Sequence, residues 1–475
     1  MKKYDVIIIG AGTAGLSAQR EVSSQSDNYL VVDPGPLGTT CARVGCMPSK
    51  VLIEAVNVFH QRLKFSRIGV EPHQELKLDS EILLQHVRKL RDQFVRGVTS
   101  DIETWKQTHL AVKKARFVSS QVLDLEGEPV SAKKFIIATG TSPFVPPNWK
   151  NLKDILTTDS LFDLPALPKK MAVIGLGPIG LEMSQALARA GVQVSVFAFG
   201  SDNIGGGLTD PDLVSYAKKI FTAEMTIFDE RVMDIKSTEK GLSVESSQRK
   251  IEVDKVLVAI GRKPNLTDLG LENFEIEWDS HKIPLFSKET FRIKNTNIYL
   301  VGDVNGERPF LHEAAEQGRI AGYNSLLEQD QPFRLRTRLA ITFSSPQIAL
   351  VGKSHQDLIE EKADFVEGSV SFENQGRAVA KMENSGMLKV FGHRQTGLIL
   401  GAEIFAPEGE HLAHLLAWSM ETNCSVFEVL NRPVYHPVLE EGLRRALRRM
   451  SEKVEKKSGR MDYLLCEDPP AGTWY

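Results

Sequence analysis

Asp5-Val-Ile-Ile-Ile-Gly-Ala-Gly-Thr-Ala-Gly15 and Met171-Ala-Val-Ile-Gly-Leu-Gly-Pro-Ile-Gly180 carry the same pattern. In each, a continuous apolar run enters G-x-G-x-x-G and continues into a helix-like stretch. A second apolar run follows, Tyr29 to Val32 in the first copy and Val192 to Phe197 in the second. Counted from Gly10 and Gly175, the two βαβ starts lie 165 positions apart. One such fingerprint is a weak signal, but two in strand–loop–helix context are a strong one. The first glycine of each (Gly10, Gly175) permits a tight turn, and the second (Gly12, Gly177) lets the backbone approach a pyrophosphate. The third (Gly15, Gly180) lets the helix pack on the strand, and the helix N-terminus attracts the phosphates. The alternative is a pair of glycine-rich turns without a ligand. The first copy ends in Asp33, an acceptor for both ribose hydroxyls; the second has Ala198 there, each 23 positions after its leading glycine. The second site thus lacks the acidic anchor, and no arginine pair for a 2′-phosphate stands nearby.

The bulk properties fit an enzyme of this kind. A chain of 475 residues suggests about three domains. Its 42% hydrophobic and 25% charged residues are those of an ordinary globular protein, and a net charge of -3 points away from nucleic acid as a partner. Lys2 and Lys3 precede an apolar run, Val6 to Ile9, that is too short for a signal peptide and suits a buried strand. With no run of about 18 apolar residues, no membrane span is expected and the cytoplasm is the expected location.

Further apolar strands stop at glycine: Phe135 to Gly140, Val256 to Gly261, and Ile298 to Asp303. Such strands suit crossovers approaching a long cofactor. Pro-containing stretches at Pro143 to Pro147, Pro165 to Pro168 and Asp330 to Pro332 read as linkers. Beyond Leu339, strand-like pieces (Leu339 to Phe343, Gly386 to Val390, Leu398 to Ile404) alternate with an apolar helix, His411 to Glu421, as in a separate α+β domain. Arg445 to Lys457 is charged and helix-like, and Cys466 to Tyr475 reads as an extension over the surface.

Chemistry concentrates in Gly38-Thr-Thr-Cys41-Ala-Arg-Val-Gly-Cys46-Met-Pro-Ser-Lys50. Four cysteines are too few for a disulfide scaffold in a chain this long, and a close pair in a reducing compartment is catalytic, sensing or metal-binding. A helical pattern, Val51 to Phe59, follows Cys46. A thiol at a helix N-terminus has a lowered pKa and exchanges more readily, and Arg43 is expected to act in the same direction. Exchange needs one accessible attacking sulfur and one resolving sulfur. Two buried thiols, or half of a zinc site, are the alternatives. Zinc needs two further ligands, which Cys424 and Cys466 do not supply as a C-x-x-C pair, so no metal is expected.

This segment resembles the pattern Gly-Gly-Thr-Cys-x-Asn-x-Gly-Cys-x-Pro-Ser-Lys of the class I pyridine nucleotide-disulfide oxidoreductases. Thr39 stands at its second glycine and Arg43 at its asparagine. The resemblance runs to about Arg449 and includes Ala138-Thr-Gly140, Gly261-Arg-Lys-Pro-Asn265, Gly302-Asp303, Leu311-His-Glu-Ala314, Gly376-Arg-Ala378 and His436-Pro-Val-Leu-Glu-Glu441. It implies an α/β fold with two Rossmann-like dinucleotide-binding domains plus a C-terminal α+β dimerisation domain. The expected boundaries are 1–147 and 269–338 for FAD, 148–268 for NAD(P), 339–450 for dimerisation, and 451–475 as a tail.

By the same resemblance, Gly10, Gly12, Gly15, Asp33, Thr40, Lys50, Ala115, Thr139, Gly140, Asp303, Leu311, His312 and Ala314 serve FAD. Gly175, Gly177, Gly180 and Gly261 serve NAD, with NADP as the alternative. Cys46 would face the flavin and Cys41 would exchange with substrate. Lys50 would pair with Glu182 near the flavin ring. His436 and Glu441 would be the acid/base pair, supplied by the other subunit of a homodimer. Pro48-Ser49-Lys50 resembles the dihydrolipoyl dehydrogenase and mercuric reductase branches, and the tail lacks the vicinal cysteines of the latter. The expected reaction is oxidation of dihydrolipoyl groups, with hydride passed through Cys41–Cys46 and FAD to NAD, and a 2-oxoacid dehydrogenase complex is a candidate partner. The competing expectations are an NAD(P)H-dependent reductase of another disulfide, a quinone or a metal ion, for which Arg43 would favour an anionic substrate, and a subunit that mainly docks into a complex.

Overall fold

The computed structural model describes residues 1–72, 74–200 and 204–455. Cys466 and most of the expected tail lie outside the described residues. The chain divides into two compact units, one of Met1–Ala55, Leu78–Leu167 and Leu257–Leu335, the other of Val56–Lys77, Pro168–Val256 and Arg336–Tyr475.

The first unit is built on a seven-stranded sheet. Lys2–Ile9 runs parallel to Tyr29–Val32 on one side and to Glu128–Ile137 on the other, with Ile7 opposite both Leu30 and Phe135. A central parallel strand is covered on both faces, which is why Val6 to Ile9 is apolar without interruption. Side chains alternate across it. Val6 and Ile8 join the core around Tyr299 and Ala314, while Ile7 and Ile9 join the one around Phe135 and Leu300. Ile298–Leu300 joins the parallel set by pairing with Phe135 to Ile137, and Leu110–Ala111 joins it at the other edge by pairing with Val31 and Val32. Two antiparallel strands, Arg116–Ser119 and Val122–Leu125, extend the sheet from the start of Glu128–Ile137. Helices Thr13–Ser23 and Leu311–Ser325 lie in close contact: a Cβ on Gly318 would sit 2.2 Å from the Ala14 carbonyl oxygen.

In the second unit, Lys170–Ile174, Gln193–Phe197 and Thr226–Phe228 are parallel neighbours, and helix Pro178–Arg189 follows the first of them. An antiparallel three-stranded sheet adjoins them in sequence: Val232–Thr238, Gly241–Ser246 and Lys250–Val253. From Leu339 a five-stranded antiparallel sheet begins, in the order Leu339–Thr342, Gln347–Gly352, Ile399–Ala406, Met387–His393, Phe365–Ser371. Helices Gly409–Glu421 and Glu440–Ser451 share one hydrophobic core with this sheet, through Leu412, Leu416, Leu443 and Leu447. The α+β pattern beyond Leu339 is therefore present, with two more strands than the sequence suggests. Asp210, His355 and Glu367 bring their ligand atoms within 4.8 Å of one another. The two carboxylates of this group meet the buried Lys389 ammonium, 2.8 Å from Asp210 and 3.7 Å from Glu367. Burial works against the Lys389 charge, and the bonds to Asp210 and Asp212 outweigh it, so its pKa rises. No helix among the described residues is long and apolar enough to cross a membrane.

Candidate redox site

The first fingerprint fits a dinucleotide. Gly10 has φ +108°, and a Cβ there would lie 2.5 Å from the Ala138 carbonyl oxygen. Helix Thr13–Ser23 starts at Gly12 without a side-chain cap, and a Cβ on Gly12 would meet no atom within 4 Å. The helix start thus presents backbone N–H groups to an open approach, as pyrophosphate binding requires. A Cβ on Gly15 would stand 1.8 Å from the Gly10 carbonyl oxygen. Gly15→Ala is therefore expected to cost about 1–3 kcal/mol or more by overpacking, read by urea unfolding, and to lower the flavin retained per chain. Asp33 is held at the strand end by two backbone donors: Ala11 N–H donates to Oδ2 at 2.6 Å and Gly35 N–H to Oδ1 at 2.7 Å.

The glycine stops converge on the same unit. Thr139 Oγ1 donates to the Asn265 carbonyl at 2.8 Å, and Asn265 Nδ2 returns a bond to the Thr139 carbonyl at 2.9 Å. The Gly140 carbonyl accepts from Asn265 N–H at 3.0 Å. Arg262, next to Gly261, donates to Thr141 Oγ1 and to the Thr141 carbonyl, both at 2.7 Å. Thr141 in turn lies 3.5 Å from Asp303. Burial pushes the Asp303 carboxyl above its usual range, opposed by Arg262. A carboxylate held short of water suits hydroxyl donors of a bound ligand. Ala115 precedes strand Arg116–Ser119, Leu311 opens helix Leu311–Ser325 with His312 exposed, and Ala314 is buried behind them.

The two cysteines flank a helical break. Cys41 lies in the short helix Thr40–Arg43 and Cys46 begins helix Cys46–His60. No disulfide joins them in this structure; Cys46 is exposed and Cys41 partly buried. The Cys41 thiol is pushed far up, first by its hydrogen bond with Cys46 and then by burial, against the charge of Lys50. Cys41 therefore holds its proton, and Cys46 stands at a helix start, a position that favours a thiolate. The cation acting on Cys41 is Lys50, in the same helix as Cys46. Arg43, expected to serve the thiols, turns back instead and donates to the Pro36 carbonyl at 3.0 Å.

Thr39 explains why the pattern carries glycine at its position. Its backbone is at φ 60°, ψ 148°, unfavourable for a β-branched residue. The Thr39 side chain accepts from Ala42 N–H at 3.2 Å, capping helix Thr40–Arg43. A Cβ on Gly38 would lie 2.8 Å from Val95 Cγ1, so the loop rests against helix Ser80–Glu103. Sequence reading misses that helix, although Asp79, which caps Glu81 and Ile82 N–H, marks its start.

His436 and Glu441 meet as expected. His436 Nδ1 and Glu441 Oε1 are 3.0 Å apart, and Val438 N–H donates to Oε2 at 3.2 Å. The bond from His436 holds the Glu441 carboxyl below its usual range, against burial and with help from Val438. The His436 side chain is 81% exposed. Glu182 accepts from Phe343 N–H at 2.8 Å within the second unit. In that unit Gly175 has φ +104°, and helix Pro178–Arg189 starts at an uncapped Gly177 whose added Cβ would meet nothing within 4 Å. Gly180 is buried in its first turn. The second fingerprint therefore fits a dinucleotide as the first does.

Comparison with known proteins agrees. Residues 4–318 match the family described as pyridine nucleotide-disulphide oxidoreductase, and residues 339–447 match the dimerisation domain of that family. A dihydrolipoyl dehydrogenase of Mycoplasma genitalium is 29% identical, covering 92% of this chain and 96% of its own. A mercuric reductase of Staphylococcus aureus is 27% identical, over 96% of this chain and 84% of its own. The crystal structure of LpdA from Mycobacterium tuberculosis superposes with a TM-score of 0.82 at 26% identity, covering 94% of this chain and 99% of that one. With two matched regions that span most of its length, the chain belongs to the pyridine nucleotide-disulphide oxidoreductase family, as a flavoprotein oxidoreductase with FAD and NAD(P) as its cofactors.

Proposed function

We propose that the protein oxidises dihydrolipoyl groups to lipoyl groups with NAD as the final oxidant, working as a homodimer in the cytoplasm. The observation that carries this reading is the pairing of an exchange-ready dithiol with an exposed histidine–carboxylate couple on one chain. The partner that fits is a lipoyl domain of a 2-oxoacid dehydrogenase complex. Residues 1–147 and 269–338 hold FAD, 148–268 hold the nicotinamide dinucleotide, and 339–450 form the dimer.

FAD, when bound, supplies a two-electron acceptor; the chain manages sulfur and proton. In the oxidised enzyme Cys41 and Cys46 are joined. One substrate thiol passes its proton to His436 Nε2 and attacks Cys41, forming a mixed disulfide and releasing Cys46 as thiolate. The second substrate thiol attacks the substrate sulfur, closing the lipoyl disulfide and leaving Cys41 as the thiol. Both substrate protons are thereby placed, one on Cys41 and one on His436. Glu441 fixes the imidazole by its Nδ1, so that Nε2 is the base. In the dimer, His436 of one protomer serves the cysteines of the other. Lys50, in the same helix as Cys46, acts electrostatically on the sulfur pair, and the residues of the first fingerprint orient the cofactor.

Anaerobic titration of the yellow holoenzyme tests this. Dihydrolipoamide is expected to bring up a long-wavelength charge-transfer band at two electrons, and NAD to discharge it. If NADH or NADPH raises the band but dihydrolipoamide does not, the lipoyl assignment fails. The acceptor is then another disulfide, a quinone or a metal ion, the last favoured by the likeness to mercuric reductase.

A further inference from the structure

The second fingerprint lacks the acid that its first copy places at Asp33, yet a carboxylate just past a different strand accepts from the backbone N–H that matches one of the two Asp33 donors. We infer that Asp229 takes the place of the missing acid and sets the choice of NAD over NADP. The inference rests on reading the second fingerprint as the nicotinamide dinucleotide site.

The two copies align by a constant sequence offset. Gly10, Asp33 and Gly35 of the first copy correspond to Gly175, Ala198 and Gly200 of the second, each 165 positions on. In the first copy, Gly35 N–H donates to Asp33 Oδ1 at 2.7 Å. In the second, the matching Gly200 N–H donates to Asp229 Oδ1 at 3.2 Å. Strand Thr226–Phe228 runs parallel to Gln193–Phe197 with Phe197 opposite Phe228. Ala198 N–H donates to the Phe228 carbonyl at 2.9 Å, which puts Asp229 beside Ala198 at the carboxyl ends of both strands. Ligands of open α/β sheets bind at those strand ends.

Charge follows from that position. Ala198 is buried and offers no polar group, whereas Asp229 is exposed at the edge where a ribose would lie. A carboxylate there accepts from ribose hydroxyls and repels a 2′-phosphate. Arg249 lies over the Phe228 ring, 3.9 Å from its centroid, and bonds Glu230 at 2.7 Å. Arg231, exposed, is the other cation in this stretch of sequence.

The test is equilibrium binding of ADP-ribose and its 2′-phosphate to the holoenzyme by calorimetry, with NADH and NADPH kinetics alongside. The wild-type protein is expected to bind the unphosphorylated ligand at least 10-fold more tightly. Asp229→Asn keeps an acceptor for Gly200 N–H and removes the charge. It is expected to reduce the discrimination about 10-fold or more, chiefly by improving the phosphorylated ligand, with flavin content and melting temperature unchanged. An Asp229→Asn protein that is folded, flavin-loaded and as discriminating as wild type would overturn the inference. So would a wild-type preference for the 2′-phosphate that is lost in Arg231→Ala, which would give the site to that cation. If neither ligand binds the loaded wild-type protein, the reading of the second fingerprint fails, and the inference with it.

Discussion

Cys41→Ser is expected to cut turnover of dihydrolipoamide by on the order of 10⁴-fold, because loss of a covalent nucleophile removes the pathway rather than slowing it. The variant should still fold, retain flavin, and accept electrons from NADH, since Cys41 belongs to a four-residue helix and not to the fingerprint. Steady-state assays in both directions, with flavin absorbance as the loading control, read the effect. The effect of Cys46→Ser differs in kind. Cys46 stands at the helix start that favours a thiolate, so that variant should also lose the long-wavelength band, whereas Cys41→Ser leaves Cys46 able to supply it. Equal behaviour of the two variants in the band would contradict the assignment of roles.

The second large effect belongs to the base. His436→Ala is expected to lower kcat for dihydrolipoamide by about 10²–10⁴-fold, the usual share of a positioned general base. Glu441→Gln should cost less, because Gln can still accept from Val438 N–H while losing the charge that favours the imidazolium. The sign of the pH effect follows from the Glu441 shift. Its carboxyl lies below the usual carboxylate range, so it remains ionised throughout neutral and mildly acidic conditions. Activity is therefore expected not to fall through Glu441 itself until well below the usual carboxylate range. An acid limb within that range that disappears in Glu441→Gln would contradict this.

Much of this is legible in the chain because the relevant signals are local. A buried parallel strand must be apolar on both faces, and the glycines after it are needed where backbone meets backbone; both features lie within Asp5 to Gly15. The cysteine spacing and the His436–Glu441 interval likewise lie within one or two helical turns. What stays hidden depends on distant partners or exposed surfaces. The strand Val232–Thr238 carries Asp, Lys, Ser and Thr and has little burial, so its alternation is faint. Helix Ser80–Glu103 buries only Leu83, Leu84, Val87 and Ile102, too few to stand out in 24 residues. The Thr139–Asn265 clamp joins groups 126 positions apart. Arg43 misleads because charge in a sequence has no direction: only the fold shows the guanidinium pointing back to Pro36.

The first unit is assembled from three separated stretches of chain, and this has a consequence for biosynthesis. Strand Glu128–Ile137 gains its parallel neighbour Ile298–Leu300 only after about 160 further residues have been made, roughly 8–30 s at ordinary elongation speeds. Helix Thr13–Ser23 waits longer still for Leu311–Ser325, against which Ala14 packs. Throughout that interval a nascent chain carries an unpaired strand edge and an uncovered apolar helix face, the features that invite association with other chains. Stalled or truncated products ending before about residue 300 should therefore aggregate or engage chaperones, even though their leading βαβ segment is complete.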